Sequence, residues 1–211
     1  MADPVISVRS YGVEALLVVL DSATHATAMR LGLDAQPPRG VVETMPGPRS
    51  VLVRFDPAIA DIHALARILK DFDFKNVDEG RPDAVSDPVQ IHVDYSGPDL
   101  DEVAARTGLT AGEVVGLHQA PTYRVALIGM APGFYFLAGG DPRLQVPRRE
   151  SPREDVPRGA VGLAAEFTGI YPKRGPGGWQ LIGLVQDDLW HPTDLPAALL
   201  APGATVRFTA T

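Results

Sequence analysis

The sequence contains no cysteine. That removes thiol nucleophiles, disulfides and zinc–thiolate sites together. No window approaches the ~20 apolar residues of a membrane span. The N-terminal Met-Ala-Asp-Pro lacks the basic and apolar stretches of a secretory signal. The expectation is a cytoplasmic protein that does not contact membranes. Basic residues are outnumbered, 19 Lys and Arg against 26 Asp and Glu, for a net charge of −7. So acidic a chain is a poor nucleic-acid binder, and no such partner is expected. Familiar signatures are missing too. There is no G-x-x-x-x-G-K-[ST] loop, no G-x-G-x-x-G turn and no G-x-S-x-G elbow. The five histidines (His25, His63, His92, His118, His191) show no H-x-x-x-H spacing, so no sequence-local metal site is expected.

What is abundant is turn-forming residues. Glycine and proline supply 21 and 20 of 211 residues, about 19% where about 12% is usual. Hydrophobic residues reach 45% and mean hydropathy is +0.02, enough for a packed core. Proline inside a helix costs roughly 3 kcal/mol, so a helical bundle is disfavoured. The composition points to β-rich structure with many turns.

The length suits one large domain or two small ones. Strand-like runs at Val5–Ser10 and Glu14–Leu20 precede a predicted helix over 22–33, capped by Asp21 or Ser22. Val41–Met45 and Ser50–Phe55 read as a hairpin around Pro46-Gly47-Pro48. An amphipathic helix over 57–72 then places Ile59, Ile62, Leu65, Ala66 and Leu69 on one stripe. The order ββαββα suits two helices on one face of an antiparallel sheet. Residues 75–88 are acidic, polar and carry two prolines, as a linker would.

Beyond the linker, Val89–Tyr95 alternates as a strand. Two short helices follow, opened by the capping-box patterns Asp99-Leu-Asp-Glu102 and Thr110-Ala-Gly-Glu113. After the apolar strand Tyr123–Gly129 the character changes. Eleven glycines and seven prolines fall between Gly129 and Gly183. Strand signals persist at 160–165, 167–171, 179–185 and 204–209 without helical periodicity. A closed or nearly closed β-structure with long connections is predicted.

Two segments carry candidate chemistry. DPRLQVPRRESPREDVPRG (141–159) repeats Pro-Arg every five residues, at Arg143, Arg148, Arg153 and Arg158. Four prolines forbid a regular helix there. Residues 141–174 carry a net charge of +2 against −9 for the rest of the chain. Guanidinium groups on a stiff backbone suit a carboxylate or phosphate, which they bind bidentately. The same arginines also suit surface pairing with Glu150, Glu154 and Asp155. The second segment, GIYPKRGPGGWQ (169–180), places Pro176-Gly177-Gly178 beside Tyr171 and Trp179. Glycines let backbone N–H groups approach a ligand closely, although a wide hairpin with Trp179 in the core fits equally. Gly129-Met-Ala-Pro-Gly-Phe134 is a third glycine-rich turn. His118 ends the second short helix, as a base, a ligand contact or a partner of the helix dipole. Asp99 already has a capping role.

These stretches together carry a resemblance. YSGPDLDEVA (95–104), GLTAGEVVGLH (108–118), Y-x-V-x-x-I-G-M-A-P-G-F-x-F-L (123–137), the Pro-Arg series (141–162), T-G-I-Y-P (168–172) and P-G-G-W-Q-L-I-G (176–183) resemble the family of KipI and the 5-oxoprolinase B subunits. Its members are also labelled allophanate hydrolase subunit 1 and carboxyltransferase subdomains C and D. VVETMPGPRSVLVRFDP (41–57) is similar to the family's N-terminal region, so the resemblance covers nearly the whole chain. The motif series is specific for the family and less so for one activity.

The resemblance implies an α+β protein: a small ferredoxin-like α/β domain (1–83) followed by a cyclophilin-like β-barrel domain (84–211). It implies a subunit, inactive alone, of an ATP-dependent hydrolase opening the cyclic amide 5-oxoproline, with Mg as counter-ion to the nucleotide. The implied partners are a cyclophilin-like C subunit, or allophanate hydrolase subunit 2 homologue, and a third decyclising subunit. Alternatives are an inhibitor of a sensor histidine kinase and a carboxyl-transfer subunit of a biotin-dependent, urea carboxylase-like system. Arg148 and Arg153 match the family's Pro-Arg pair and are the expected catalytic cations. Gly133, Phe134, Tyr171, Gly177, Gly178, Trp179, Gln180 and His118 are the expected substrate contacts, lining one cleft.

Two departures stand out. The family's common G-x-A-G-G-Q-T-G reads Gly162-Leu-Ala-Ala-Glu-Phe-Thr-Gly169 here, so Glu166 and Phe167 replace a small residue and an amide. Its I-G-R-T reads Ile182-Gly183-Leu184-Val185, which removes a cation. Either the ligand is more apolar or the fold is kept without the activity.

Overall fold

The computed structural model describes residues 4–74, 87–129, 131–185, 200 and 203–211. The chain divides into two compact units, Met1–Val85 and Ser86–Thr211. Most of the linker read from the sequence, 75–86, lies outside the described residues, as do Met130 and His191.

The first unit runs β1 (Val5–Ser10), β2 (Ala15–Leu20), α1 (Ala23–Ala35), β3 (Val41–Gly47), β4 (Ser50–Phe55) and α2 (Ile62–Lys70). Its sheet has the order β1-β2-β4-β3, with every neighbouring pair antiparallel. β2 and β3 therefore run parallel with β4 between them, and α1 is their crossover. Strand alternation makes the core. Leu16, Val18 and Leu20 of β2 and Val51, Val53 and Phe55 of β4 pack with Met29, Leu33, Leu65 and Leu69 of the helices. Each such side chain contributes about 1.5–3 kcal/mol when fully buried.

Two boundaries differ from the sequence reading. α2 begins at Ile62 because Asp61 caps it, accepting from the Ala64 N–H at 2.8 Å. Ile59 therefore sits in the preceding turn, 52% exposed, rather than on the core stripe. The β3–β4 hairpin turns at Pro48-Arg49, and Pro46 lies inside β3. β3 is an edge strand, where a missing N–H is tolerated.

The second unit has β5 (Val89–Val93), α3 (Leu100–Thr107), α4 (Ala111–Gln119), β6 (Tyr123–Ile128), β7 (Tyr135–Ala138), β8 (Arg153–Val156), β9 (Ala160–Ala164), β10 (Phe167–Ile170), β11 (Gly175–Gly177), β12 (Gln180–Leu184) and β13 (Thr205–Ala210). Seven strands form one sheet, β12-β9-β10-β7-β6-β13-β5, while β8 and β11 form a separate ribbon. The two edges of the sheet meet. Asp94, just after β5, and Leu184 of β12 exchange both backbone hydrogen bonds, at 2.9 and 2.8 Å. The contact continues through Gly97 N–H to Ile182 O at 3.2 Å and Asp99 N–H to Leu181 O at 2.9 Å. The sheet is thus a nearly closed barrel, which leaves few backbone groups unpaired at its edges. Val93, Val125, Leu137, Val161, Ile182, Val206 and Phe208 fill it, with Val103 and Val114 packed in from α3 and α4.

Of the two predicted capping boxes, one forms. Thr110 accepts from the Glu113 N–H at 3.2 Å while Glu113 accepts from the Thr110 N–H at 2.8 Å. Asp99 makes no capping bond, because its carboxylate turns away from α3. Among the described residues no helix is long and apolar enough to cross a membrane.

Candidate functional site

The site begins with an aromatic cluster under the glycine-rich turns. Phe134 lies 5.1 Å from Tyr171 and 5.6 Å from Trp179 between ring centroids, and Phe136 lies 5.0 Å from Trp179. Gly133, buried and at φ +77°, makes the turn that presents Phe134. A side chain at Gly177 would strike Tyr171, since a Cβ there would stand 2.3 Å from the tyrosine oxygen. That oxygen takes a hydrogen bond from the Trp179 backbone. Burial pushes the Tyr171 hydroxyl pKa up, while the Trp179 bond and the nearby Arg148 and Arg153 guanidiniums pull it down. Arg148 is exposed and lies over the Trp179 ring, 5.9 Å from its centroid. Among the described residues it has no ion-pair partner.

Arg149 and Arg153 converge on Asp99. The Arg149 Nη1 donates to Asp99 Oδ1 at 3.0 Å and the Arg153 Nη2 to the same oxygen at 2.6 Å. Asp99 Oδ2 accepts from the Leu181 N–H at 2.7 Å. The carboxylate side chain is 3% exposed. Glu102 lies 3.6 Å from Arg149 but also holds Arg106. Three arginines thus share two carboxylates, a surplus of one positive charge. Arg149 Nε and Arg153 Nη1 are buried with no hydrogen-bond partner, as is Gln180 Oε1. Buried donors on a charged group are costly to leave unpaired. Arg30 of the first unit also has unpartnered buried nitrogens, but it is balanced one to one by Asp34 at 2.5 Å.

Backbone bonds tie this cluster to the glycine turn. The Arg149 N–H donates to Gly178 O at 2.8 Å, and Arg153 of β8 pairs with Gly177 of β11. Gln180 is buried and reaches Pro147 O through a long 3.4 Å hydrogen bond. Beside the cluster lies a cleft of about 290 Å³, lined by Arg153, Asp155, Ser96, Pro98, Leu181 and Leu184 among others. Leu184 therefore places an apolar wall in the cleft. Phe167 is instead in the aromatic cluster, 5.6 Å from Phe136, and does not line this cleft.

His118 does not belong to the site. It is 0% exposed, with Nδ1 2.8 Å from the Tyr95 hydroxyl and Nε2 2.9 Å from Thr168 Oγ1. Thr168 donates onward to Gly162 O at 3.2 Å. Nε2 must then carry the proton and Nδ1 must accept from Tyr95. Burial lowers the His118 pKa to about 3, so it is neutral. With both nitrogens engaged it can neither contact a ligand nor act as a cation at the helix end. Its expected role as a substrate contact is corrected accordingly.

The arrangement brings Arg148, Arg153, Tyr171, Gly177, Gly178, Trp179, Gln180, Phe134 and Gly133 into one neighbourhood. It adds Asp99 and Arg149, which the sequence reading passed over. Asp99 was hidden by its position in a capping-box pattern, and Arg149 by falling outside the five-residue Pro-Arg repeat.

Comparison with known proteins gives consistent matches. The model of the carboxyltransferase domain, subdomain C and D, matches residues 6–200. The chain is 36% identical over 200 residues to the 5-oxoprolinase B subunit of Bacillus subtilis (strain 168), covering 90% of this chain and 82% of that protein. It is 38% identical over 169 residues to the 5-oxoprolinase B subunit of Escherichia coli O157:H7, covering 80% and 77%. Among solved structures, that of TTHA0988 superimposes with a TM-score of 0.70 at 36% identity over 94% of this chain. This chain spans 40% of that longer one.

Proposed function

The chain belongs to the family of the carboxyltransferase domain, subdomain C and D, and from this premise we propose that it is the B subunit of a 5-oxoprolinase-type amidohydrolase. The observation that carries the reading is the surplus of guanidinium over carboxylate at Asp99, beside a cleft of about 290 Å³. Such a cleft is at the small end of ligand pockets. It suits a compact cyclic carboxylate better than a whole nucleotide.

In this reading Arg153 anchors the substrate carboxylate, and Pro98, Leu181 and Leu184 flank its ring. Arg148, held over Trp179, faces developing charge on phosphoryl oxygens. Gly177 and Gly178 hold the backbones of Arg153 and Arg149 in place. ATP, with Mg as counter-ion, would supply a phosphoryl group to the lactam oxygen and make it a leaving group. The nucleotide is assigned to a surface shared with a cyclophilin-like C subunit, and ring opening to a third subunit, so the chain is inactive alone. The ββαββα unit is read as a ferredoxin-like βαββαβ fold with its last strand moved to the front, and the barrel as cyclophilin-like.

The test is 5-oxoproline-stimulated ATP hydrolysis by this chain with its neighbouring subunits. Stimulation that Arg148→Ala abolishes is the expected result. A complete complex with no stimulation rejects the activity. Leu184 favours a second substrate reading, a cyclic amide with a larger apolar substituent. Such a substrate should then outcompete 5-oxoproline, and Leu184→Arg should reverse the order.

A further inference from the structure

We infer that Asp99 is the positioning residue of the site: it brings Arg149 and Arg153 together and aims Arg153 at the anion. The inference rests on the reading that this cleft takes an anionic substrate. Asp99 lies 50 and 54 residues from the two arginines in sequence. It does not line the cleft itself. Its own position is fixed twice by one residue of β12. The Asp99 N–H donates to Leu181 O at 2.9 Å, and Oδ2 accepts from the Leu181 N–H at 2.7 Å. That leaves Oδ1 alone to face both guanidiniums, at 3.0 and 2.6 Å.

Two guanidinium groups repel each other when brought together out of water, and only a charge between them reverses the sign. The arginine backbones are already pinned to the glycine turn by the Arg149–Gly178 bond and the β8–β11 pairing. What remains free is where the side chains point, and Asp99 sets that. Using one oxygen for two cations also leaves the cluster short of negative charge. Arg153 Nη1 and Arg149 Nε stay buried without acceptors. A carboxylate that neutralised each arginine separately would fill the need the substrate is to fill.

The test is a double-mutant cycle in the assembled complex, using Asp99→Asn, Arg153→Ala and the double variant. Asp99→Asn keeps the volume but removes the charge. It should raise the KM for 5-oxoproline about tenfold or more while kcat changes less. In the Arg153→Ala background it should add no further rise, since a residue acting through another gives non-additive losses. In parallel, inorganic phosphate should raise the Tm of the unmodified chain and fail to raise that of Asp99→Asn. An inactive complex rejects the reaction, and the phosphate arm then decides on Asp99. Stimulated hydrolysis with an unchanged KM in Asp99→Asn overturns the assignment while the reaction stands. Losses that multiply in the double variant, or a phosphate response indifferent to Asp99, overturn it as well.

Discussion

Among the described residues of the second unit, two polar networks differ in what they leave over. The chain Tyr95–His118–Thr168–Gly162 closes on itself, with each of its donors meeting an acceptor and no net charge. The cluster Asp99–Arg149–Arg153 does not close, because two cations share one oxygen and two donors stay unpaired. Both centre on a buried group, His118 or the Asp99 carboxylate, and both join segments 50 or more residues apart. Burial therefore does not separate structure from site here. Charge balance does: the first network is neutral, whereas in the second two cations share one carboxylate oxygen beside a cleft.

The comparison can be broken at either network. Ranked by unfolding free energy, Asp99→Ala has the largest expected effect, a loss of about 2–4 kcal/mol, because it leaves the buried Leu181 N–H and two partly buried guanidiniums without their acceptor. Urea denaturation measures it, and a loss below about 1 kcal/mol would mean the cluster is solvated rather than buried.

His118→Leu comes next, at about 1–3 kcal/mol near pH 7.5, because the Tyr95 hydroxyl loses its acceptor and the Thr168 oxygen loses its donor. Its signature is the pH dependence. The folded-state pKa of about 3 lies below the unfolded value of about 6.5, so below pH 6.5 the unfolded chain binds a proton that the native protein refuses. His118 thus removes stability as pH falls, by up to about 1.4 kcal/mol per unit towards pH 3. The stability curves of the unmodified chain and His118→Leu should approach each other between pH 6.5 and 5. Parallel curves would mean that His118 is protonated in the fold.

Ala165→Gly separates strain from function. Ala165 has φ +50°, the one positive value at a non-glycine among the described residues, in the two-residue turn between β9 and β10. Glycine there should stabilise by about 0.5–1 kcal/mol in thermal melts without altering the activity of the complex. A loss of stability would show that the turn is not strained.

Arg148→Ala should have the smallest effect on folding, within about 1 kcal/mol, since only an exposed stack on Trp179 is lost. It should nonetheless remove the stimulated ATP hydrolysis. Loss of stability without loss of activity would assign Arg148 to packing.

Local chemistry was legible where a residue's partner is near in sequence. Ser22 caps α1 through His25, and Thr110 caps α4 through Glu113. The strands after Gly129 followed from the glycines and prolines concentrated there, which disfavour long helices. Reading failed where a side chain had two possible partners. Asp99 fits a helix cap and a cation pair equally by spacing, and its carboxylate took Arg149 and Arg153 over the N-terminus of α3. His118 has the residue type of a base, but Tyr95 and Thr168 claim both its nitrogens. Ile59 fitted the helical period, yet Asp61 starts α2 three residues later.

The sequence by itself determined the family, the two-part division into ββαββα and barrel-forming segments, and the stretch that carries the arginines and glycines. These rest on composition, periodicity and motif order, which are local properties of the chain. Only the tertiary structure decided which arginine faces which carboxylate, that Leu184 walls the cleft, and that His118 is sealed. Those outcomes depend on closing the barrel between Asp94 and Leu184, 90 residues apart, which carries Asp99 onto β12. Charge balance and burial exist only once that closure has brought distant residues out of water together.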